Sequence, residues 1–240
     1  MSTAEPVIEV RDLSRRFGAR MAVAGVTLKI GAGDVVGLVG ANGGGKTTTL
    51  RMLAGLLRPS GGSGTVMGAD VFCPDQAQRR RIGYMTQSLA LYPELTVSEN
   101  LRFRAEVTCG GDRQAEQHVI EKYGLGDRLG SGVSELSGGW ARRVQFAASV
   151  IHRPALLLLD EPTAGLDALT RRDMWNWIAE LAASGCCVLV STHDMHEAEQ
   201  CPLILHFREG RVEGPLSPGT LIARNRASTL EAAVIAEASA

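Results

Sequence analysis

Long apolar segments are missing from this chain of 240 residues. The longest apolar runs, Ala155 to Leu159 and Cys186 to Val190, have the length of a β-strand. They fall far short of the roughly 20 residues that a membrane-spanning helix needs. The first residues contain no basic segment followed by an apolar one, so no secretion signal is expected. These absences predict a soluble domain that works inside the cell.

Paired cysteines are also missing. The five cysteines form no Cys-x-x-Cys pair, and their number is odd. Cys186 and Cys187 are adjacent in a predicted strand, where successive side chains point to opposite faces of the sheet. A disulfide framework is therefore not expected, and a reducing cytosol is the compartment that fits.

A surplus of positive charge is absent as well. The 25 basic and 26 acidic residues leave a net charge of −1, whereas a protein that coats nucleic acid needs a basic surface. No nucleic-acid partner is therefore expected. Short arginine clusters do occur, and their neutral or acidic flanks predict solvated faces. These clusters are Arg15-Arg16, Arg79-Arg80-Arg81, Arg142-Arg143 and Arg171-Arg172.

The order of apolar segments predicts an α/β domain. Short apolar runs alternate with segments of helical periodicity at both ends of the chain, which indicates a mostly parallel sheet with helices on its faces. The strands are predicted at 7–10, 23–30, 35–39, 82–86, 155–160, 187–191 and 203–207, and the helices between them at 47–57, 167–183 and 195–201. Helix-like stretches dominate residues 88–153, which predicts a helical lobe inserted into a single domain spanning 1–240. A tail from about 216 to 240 contains a weak predicted helix, 229–238.

A glycine-dense turn with one lysine lies between a predicted buried strand and an amphipathic helix. Residues 40–47 fit the pattern G-x-x-x-x-G-K-[ST] at every fixed position. The glycines let backbone amides point at phosphate oxygens, and the start of the helix adds the positive end of its dipole. Lys46 would neutralise the β- and γ-phosphates, and the Thr47 hydroxyl would bind Mg²⁺. The candidate nucleotide-binding residues of this phosphate loop are Gly40, Asn42, Gly43, Gly45, Lys46, Thr47 and Thr48.

A glycine-rich hairpin that happens to precede a lysine is the alternative interpretation of this segment. Lysine is rare here, since only Lys29, Lys46 and Lys122 occur among the 25 basic residues. A generic surface position is therefore a poor explanation for Lys46, and the phosphate loop is favoured.

Two carboxylates end a second apolar run. Four leucines precede Asp160 and Glu161, and open α/β sheets bind ligands at the carboxyl ends of their parallel strands. Asp160 would hold the water shell of Mg²⁺, and Glu161 would accept a proton from an attacking water. Alone, the pair equally fits a strand that ends in solvated acids, but beside a phosphate loop the hydrolytic site is favoured.

Further segments resemble the motifs of ATP-binding cassette (ABC) ATPases. The run 136–140, Leu-Ser-Gly-Gly-Trp, followed by Arg143, is similar to the family's signature motif, and 162–167 is similar to its D-loop. His193 resembles the switch histidine, Gln87 the Q-loop glutamine and Phe17 the aromatic residue that stacks on adenine. The resemblance covers about residues 6–215, in the order of the family's motifs.

The resemblance implies a fold and a mechanism. The implied fold is a phosphate-loop core with a mixed, mainly parallel sheet, an N-terminal antiparallel β-subdomain and an inserted helical subdomain. Two chains would sandwich two ATP molecules, with the signature residues of one chain reaching the γ-phosphate held by the other. The implied catalytic residues are Glu161, His193 and Gln87; the metal ligands are Thr47, Gln87 and Asp160; the further nucleotide-binding residues are Phe17, Ser137, Gly138, Gly139 and Asp167.

Three positions depart from the family pattern. Trp140 replaces the usual Gln of the signature motif, Ala41 replaces Pro, and Ala164 replaces Ser. An indole donates one hydrogen bond and accepts none, so contacts that a glutamine amide makes are lost. Because Ser-Gly-Gly is intact, phosphate contact is expected to survive.

Two of these residues have competing interpretations. His193 and His196 form a His-x-x-His spacing that metal sites use, and His193 also fits a plain surface histidine. Phe17 lies in a Gly-bounded turn, where an aromatic ring can simply fill the core.

The resemblance also implies partners. The stretch 88–93 is apolar for a loop, and it either packs under the helical lobe or lines a groove for a membrane-spanning permease. Such a partner would place the chain at the cytoplasmic face of the cell membrane, as one of two ATPase subunits, with a homodimer expected. Residues 228–232 faintly resemble the end of exporter-type ATPases, so efflux is favoured over import, with the cargo selected by the permease. The alternatives are a soluble ABC ATPase of DNA repair, translation or iron–sulfur assembly, and a kinase or GTPase, which would lack the signature motif and His193.

Overall fold

The computed structural model describes residues 5–208 and 210–238. The strands within this part of the chain are β1 Ile8–Phe17, β2 Arg20–Ile30, β3 Val35–Gly40, β4 Gly61–Val66, β5 Ala69–Asp70, β6 Ile82–Met85, β7 Leu156–Asp160, β8 Cys187–Thr192, β9 Leu203–Arg208 and β10 Arg211–Leu216. The helices are α1 Lys46–Leu53, α2 Gln76–Arg79, α3 Val97–Cys109, α4 Arg113–Lys122, α5 Gly138–Val150, α6 Ala168–Ala183, α7 Met195–Glu199, α8 Pro218–Arg224 and α9 Leu230–Ala238. Among the described residues, no helix combines the length and the apolar character that a membrane span requires.

Two sheets form the framework. The smaller sheet has the order β2-β1-β4-β5 and is antiparallel. The larger sheet has the order β10-β9-β3-β8-β7-β6, in which β10 alone is antiparallel to its neighbour among the described strands. The predicted fold class, a mixed and mainly parallel sheet beside an N-terminal antiparallel unit, is confirmed. The parallel order brings the carboxyl ends of β3, β7 and β8 to one edge of the sheet.

The segment 88–153, for which an inserted helical lobe is predicted, carries α3, α4 and α5. Its core is continuous with one face of the larger sheet, because Leu101 and Phe146 of the helices belong to the same buried cluster as Leu157 and Val190 of the strands. The helical lobe and the sheet therefore share one core.

Strand β4 is not predicted from the sequence, because its Gly-Gly-Ser-Gly run has no apolar pattern. Val10 of β1 lies opposite Gly64, which adopts φ 136°. A Cβ on Gly64 would lie 2.1 Å from the carbonyl oxygen of Glu9. The close approach of β1 therefore requires glycine here.

Helix α1 ends at Leu53, whereas the leucine spacing predicts a helix to Leu57. The prediction was wrong at this end because Gly55 takes a left-handed conformation, φ 68°, and stops the helix. Leu56 is consequently exposed rather than part of a buried helical stripe.

Candidate functional site

The phosphate loop connects β3 to α1, and its backbone conformation requires glycine at two positions. Gly40 adopts φ 144° and Gly45 adopts φ 110°. A Cβ on Gly40 would lie 2.2 Å from the carbonyl oxygen of Phe207, and a Cβ on Gly45 would lie 2.6 Å from that of Ala22. The predicted strand–turn–helix setting is present, and larger side chains would displace the loop.

Lys46 is folded back over this loop. Its Nζ atom donates hydrogen bonds to the carbonyl oxygens of Gly40, at 2.6 Å, and Ala41, at 3.1 Å. Burial lowers the pKa of the Lys46 ammonium, and the carboxylates of Glu161 and Asp160 act in the opposite direction. A third ammonium donor remains for a phosphate oxygen.

Oxygen ligands for a magnesium ion meet at the end of β7. The Thr47 hydroxyl donates to Oδ1 of Asp160 at 3.0 Å, although 113 residues separate them in the chain. Ser191, on the neighbouring strand β8, donates to the same oxygen at 2.7 Å. Hydroxyl and carboxylate oxygens are the ligands that Mg²⁺ prefers, so Thr47 and Asp160 fit the ion.

Glu161 is the meeting point of the predicted catalytic residues. Its Oε2 atom accepts a hydrogen bond from Nε2 of Gln87 at 3.0 Å and lies 3.4 Å from Nδ1 of His193. The Glu161 backbone adopts φ 48°, and its amide donates to Oγ of Ser191 at 2.9 Å. The structure thus brings Gln87, Glu161 and His193 together from three separate segments.

The aromatic residue predicted to stack on adenine lies at the rim of the same cleft. Phe17 is 46% exposed, so the alternative that it fills the core is wrong. The Arg15 guanidinium lies over the ring at 4.7 Å from its centre. The cleft has a volume of about 510 Å³ and is lined by Phe17, Arg20, Ala22, Asn42, Gly43, Gly45, Lys46, Thr47, Thr48, Gln87 and Glu161.

The signature residues lie outside this cleft. Ser137 caps α5, and its hydroxyl accepts a hydrogen bond from the amide of Trp140 at 3.5 Å. Ser137 and Gly138 are exposed. Asp167 caps the neighbouring helix α6 and accepts hydrogen bonds from the amide and hydroxyl of Thr170. Hydrogen bonds from Thr170 lower the pKa of Asp167.

A metal site at His193 and His196 finds no support. In the described part of the chain, the one group of three side chains with converging metal-ligand atoms is His206, Glu213 and Glu237, which includes neither His193 nor His196. His193 instead contacts the candidate catalytic carboxylate, Glu161.

Arg142 and Gln145 hold the backbone of the Q-loop and were missed as functional residues. Arg142 donates from Nη1 to the Thr86 carbonyl at 3.0 Å and from Nη2 to the Gln87 carbonyl. Gln145 donates to the carbonyls of Thr86, at 3.2 Å, and Ser88, at 2.9 Å. The prediction of a solvated face is therefore wrong for Arg142, which ties α5 to the segment that carries Gln87.

Two arginine guanidiniums lie over the Trp140 ring. The Arg143 guanidinium lies 4.9 Å from the Trp140 ring centre and 5.1 Å from that of Trp177. The Arg128 guanidinium lies 5.4 Å from the Trp140 ring centre. Arg143 also donates to Asp173 of α6 at 3.0 Å. The solvated-face prediction is wrong for Arg143 too, because Arg143 joins α5 to α6 and also stacks on Trp140.

The Trp140→Gln variant is expected to change the ATPase rate by less than about tenfold, or ~1.4 kcal/mol in the barrier. The reason is that the indole contacts arginines of its own helical lobe and does not line the nucleotide cleft. Steady-state phosphate release, measured beside the melting midpoint, checks this. A larger rate loss in a variant that melts like wild type would assign the tryptophan a role in turnover.

Comparison with known proteins gives consistent matches. A family model described as ABC transporter matches residues 23–164. "Probable multidrug ABC transporter ATP-binding protein YbhF" of Escherichia coli (strain K12) is 42% identical over 213 residues, covering 87% of this chain and 37% of that protein. The chain thus spans little more than a third of that relative. "Nod factor export ATP-binding protein I" of Burkholderia lata is 38% identical over 220 residues, covering 90% of this chain and 72% of that one.

A solved structure shares the fold. It is described as the dimeric structure of a post-hydrolysis state of the ATP-binding cassette MJ0796 bound to ADP and Pi. The two structures superpose with a TM-score of 0.79 at 26% sequence identity, covering 88% of this chain and 98% of the other.

Proposed function

The chain belongs to the ABC transporter family of ATP-binding proteins, and we propose that it dimerises on ATP and that ATP binding and hydrolysis by this subunit power export through a separate permease. The family and its ATPase fold, both predicted from the sequence, are confirmed. The observation that carries the proposal is one cleft lined by Lys46, Thr47, Gln87 and Glu161 together.

In the proposed reaction, Glu161 is the general base. Its carboxylate lies beside the phosphate loop and is oriented by Gln87 and His193, so it can accept a proton from the water that attacks the γ-phosphate. Lys46 neutralises phosphate charge. A magnesium ion held by Thr47 and Asp160 would neutralise charge on the phosphate oxygens. His193 would steady the γ-phosphate, and Phe17 would stack on the adenine with the ring face that Arg15 leaves open.

A second copy of the chain completes the proposed site. Ser137 and Gly138 are exposed at the start of α5, and the amides of a helix start can bind an anion. Placing this helix start against the partner's γ-phosphate would make ATP the link between two copies. The dimeric, ADP-bound state of the structurally similar cassette supports this arrangement. Hydrolysis would remove the γ-phosphate contacts and reopen the dimer.

An apolar groove is the proposed docking surface for the permease. It has a volume of about 370 Å³ and lies between β6, α3, α5 and the turn that follows α1. Leu91 packs against the core, while Leu89 and Tyr92 are exposed and available to a partner. Because Gln87 directly precedes this stretch, docking there would couple the permease to Glu161. The chain would then sit at the cytoplasmic face of the membrane, and the names of the export relatives support efflux.

Site-specific photo-cross-linking tests the transporter proposal. With a photoreactive residue at Tyr92, which is exposed and lines the docking groove, the expected adduct in cells of the native host is a polytopic membrane protein. The same probe at Gln114, exposed on α4 and outside the groove, is the matched control. An adduct at Tyr92 with ribosomal, DNA-repair or iron–sulfur assembly proteins would replace the transporter with a soluble ABC ATPase.

A further inference from the structure

We propose that Arg20 is a phosphate-binding residue of the nucleotide cleft, with its guanidinium contacting the triphosphate from the side of Gly43. The proposal deepens the proposed function and rests on it, because it takes ATP as the ligand of the cleft. Arg20 stands in no motif of the sequence, and its role follows from where the β1–β2 hairpin places it.

The hairpin sets Arg20 beside the candidate adenine-stacking residue. Phe17 and Arg20 are directly opposite each other in the antiparallel pair at the hairpin end, so their side chains lie on the same face. Both line the cleft. An aromatic ring and a guanidinium side by side suit a ligand that joins a base to phosphates.

The guanidinium also reaches the phosphate loop. Its Nη2 atom lies 3.9 Å from the position that a Cβ on Gly43 would occupy. Because Gly43 has no side chain, it places no side-chain atom between the guanidinium and the loop backbone that would cradle phosphates. A phosphate held by the loop would therefore lie within reach of both Arg20 and Lys46.

Arg20 has unused binding capacity. No other described residue hydrogen-bonds or ion-pairs with its guanidinium, so its five N–H donors are free. Arg20 and Lys46 are the two cations among the residues that line the cleft, and two donors of Lys46 already bind loop carbonyls. A guanidinium can also bind two phosphate oxygens at once, which an ammonium cannot do with the same geometry.

The nearby Arg15 shows the contrast with a structural arginine. Its Nη1 atom donates to the carbonyl oxygen of Arg58 at 2.7 Å, and its guanidinium covers one face of Phe17. Arg15 is thus engaged within the chain, whereas Arg20 is not.

Titration calorimetry of the full chain with ATP tests the proposal. Arg20→Ala is expected to weaken ATP binding about tenfold, or ~1.4 kcal/mol. Arg20→Lys is expected to weaken it by about threefold, because lysine keeps the positive charge but lacks the planar guanidinium that binds two phosphate oxygens at once. Arg16→Ala is the matched control: Arg16 precedes Phe17 on β1, carries the same charge and does not line the cleft. It should stay within about twofold of wild type.

The salt dependence of ATP affinity distinguishes a contact between Arg20 and phosphate from a structural effect of the substitution on Phe17. The affinities of wild type and Arg20→Ala should converge as salt is raised, because salt screens the guanidinium; a difference that salt does not change would mean that the substitution only displaces the hairpin. Equal affinity of Arg20→Ala and Arg16→Ala for ATP would overturn the role of Arg20. Absence of ATP binding by wild type would instead overturn the proposed function itself.

Discussion

The Glu161→Gln variant is expected to bind ATP, to form a dimer and to hydrolyse ATP at least about a hundredfold more slowly than wild type, the scale at which a general base contributes. An amide cannot accept the proton of the attacking water at neutral pH. It keeps the shape of the carboxylate, so the cleft should stay intact. The variant therefore separates binding, which needs the phosphate loop, from hydrolysis, which needs the carboxylate.

Trapping of a dimer is the second part of this expectation. In the proposed cycle the γ-phosphate joins the phosphate loop of one chain to the Ser137 helix start of the other, and only hydrolysis removes it. A variant that binds but does not hydrolyse should accumulate in the closed state. Removal of the Glu161 negative charge also lowers repulsion toward the bound phosphates, which favours the same outcome.

Light scattering with Mg-ATP and steady-state phosphate release check the two parts. Glu94→Gln, an exposed residue outside the cleft, makes the same chemical change without touching the site and should behave as wild type. A Glu161→Gln chain that stays monomeric with ATP bound would contradict the sandwich. One that turns over normally would remove Glu161 as the base.

The parts of the site that the sequence predicts are those encoded by contiguous residues. Residues 40–47 predict a phosphate loop because the backbone geometry of this turn requires glycine at fixed positions, among them Gly40 and Gly45. Asp160 and Glu161 follow a contiguous apolar run that forms a buried strand, and the phosphate loop in the same sequence favours the hydrolytic interpretation of the pair. Both features are local, so no tertiary contact is needed to see them.

Residues that act across long sequence separations could not be predicted this way. Arg142 reaches the Gln87 carbonyl 55 residues earlier in the chain, and its Arg-Arg context is typical of a solvated face. Ser191, on a neighbouring strand and 31 residues away in the chain, donates a hydrogen bond to Asp160. Arg20 joins the cleft only through hairpin register. In each case the pairing of strands or the packing of a helix, and not a local pattern, creates the contact.

Lys46→Ala is expected to weaken ATP binding at least about a hundredfold, or ~2.7 kcal/mol. The ammonium is the buried cation of the cleft, with 5% of its surface exposed, and a charge-assisted hydrogen bond to phosphate is strong where water is excluded. The substitution also leaves the carbonyl oxygens of Gly40 and Ala41 without their donor, so the loop itself is expected to loosen. Both effects act in the same direction.

Calorimetric titration beside thermal melting distinguishes loss of binding from loss of fold. Lys29→Ala is the control, because Lys29 is an exposed lysine that pairs with Glu9 at 3.3 Å, away from the cleft. Its ATP affinity should equal that of wild type. Lys46→Ala should keep a cooperative melting transition while ATP no longer raises its midpoint, since a ligand stabilises only the state it binds. Should Lys46→Ala bind ATP as tightly as Lys29→Ala does, residues 40–47 would not be the phosphate site, and the Glu161→Gln expectations would lose their basis.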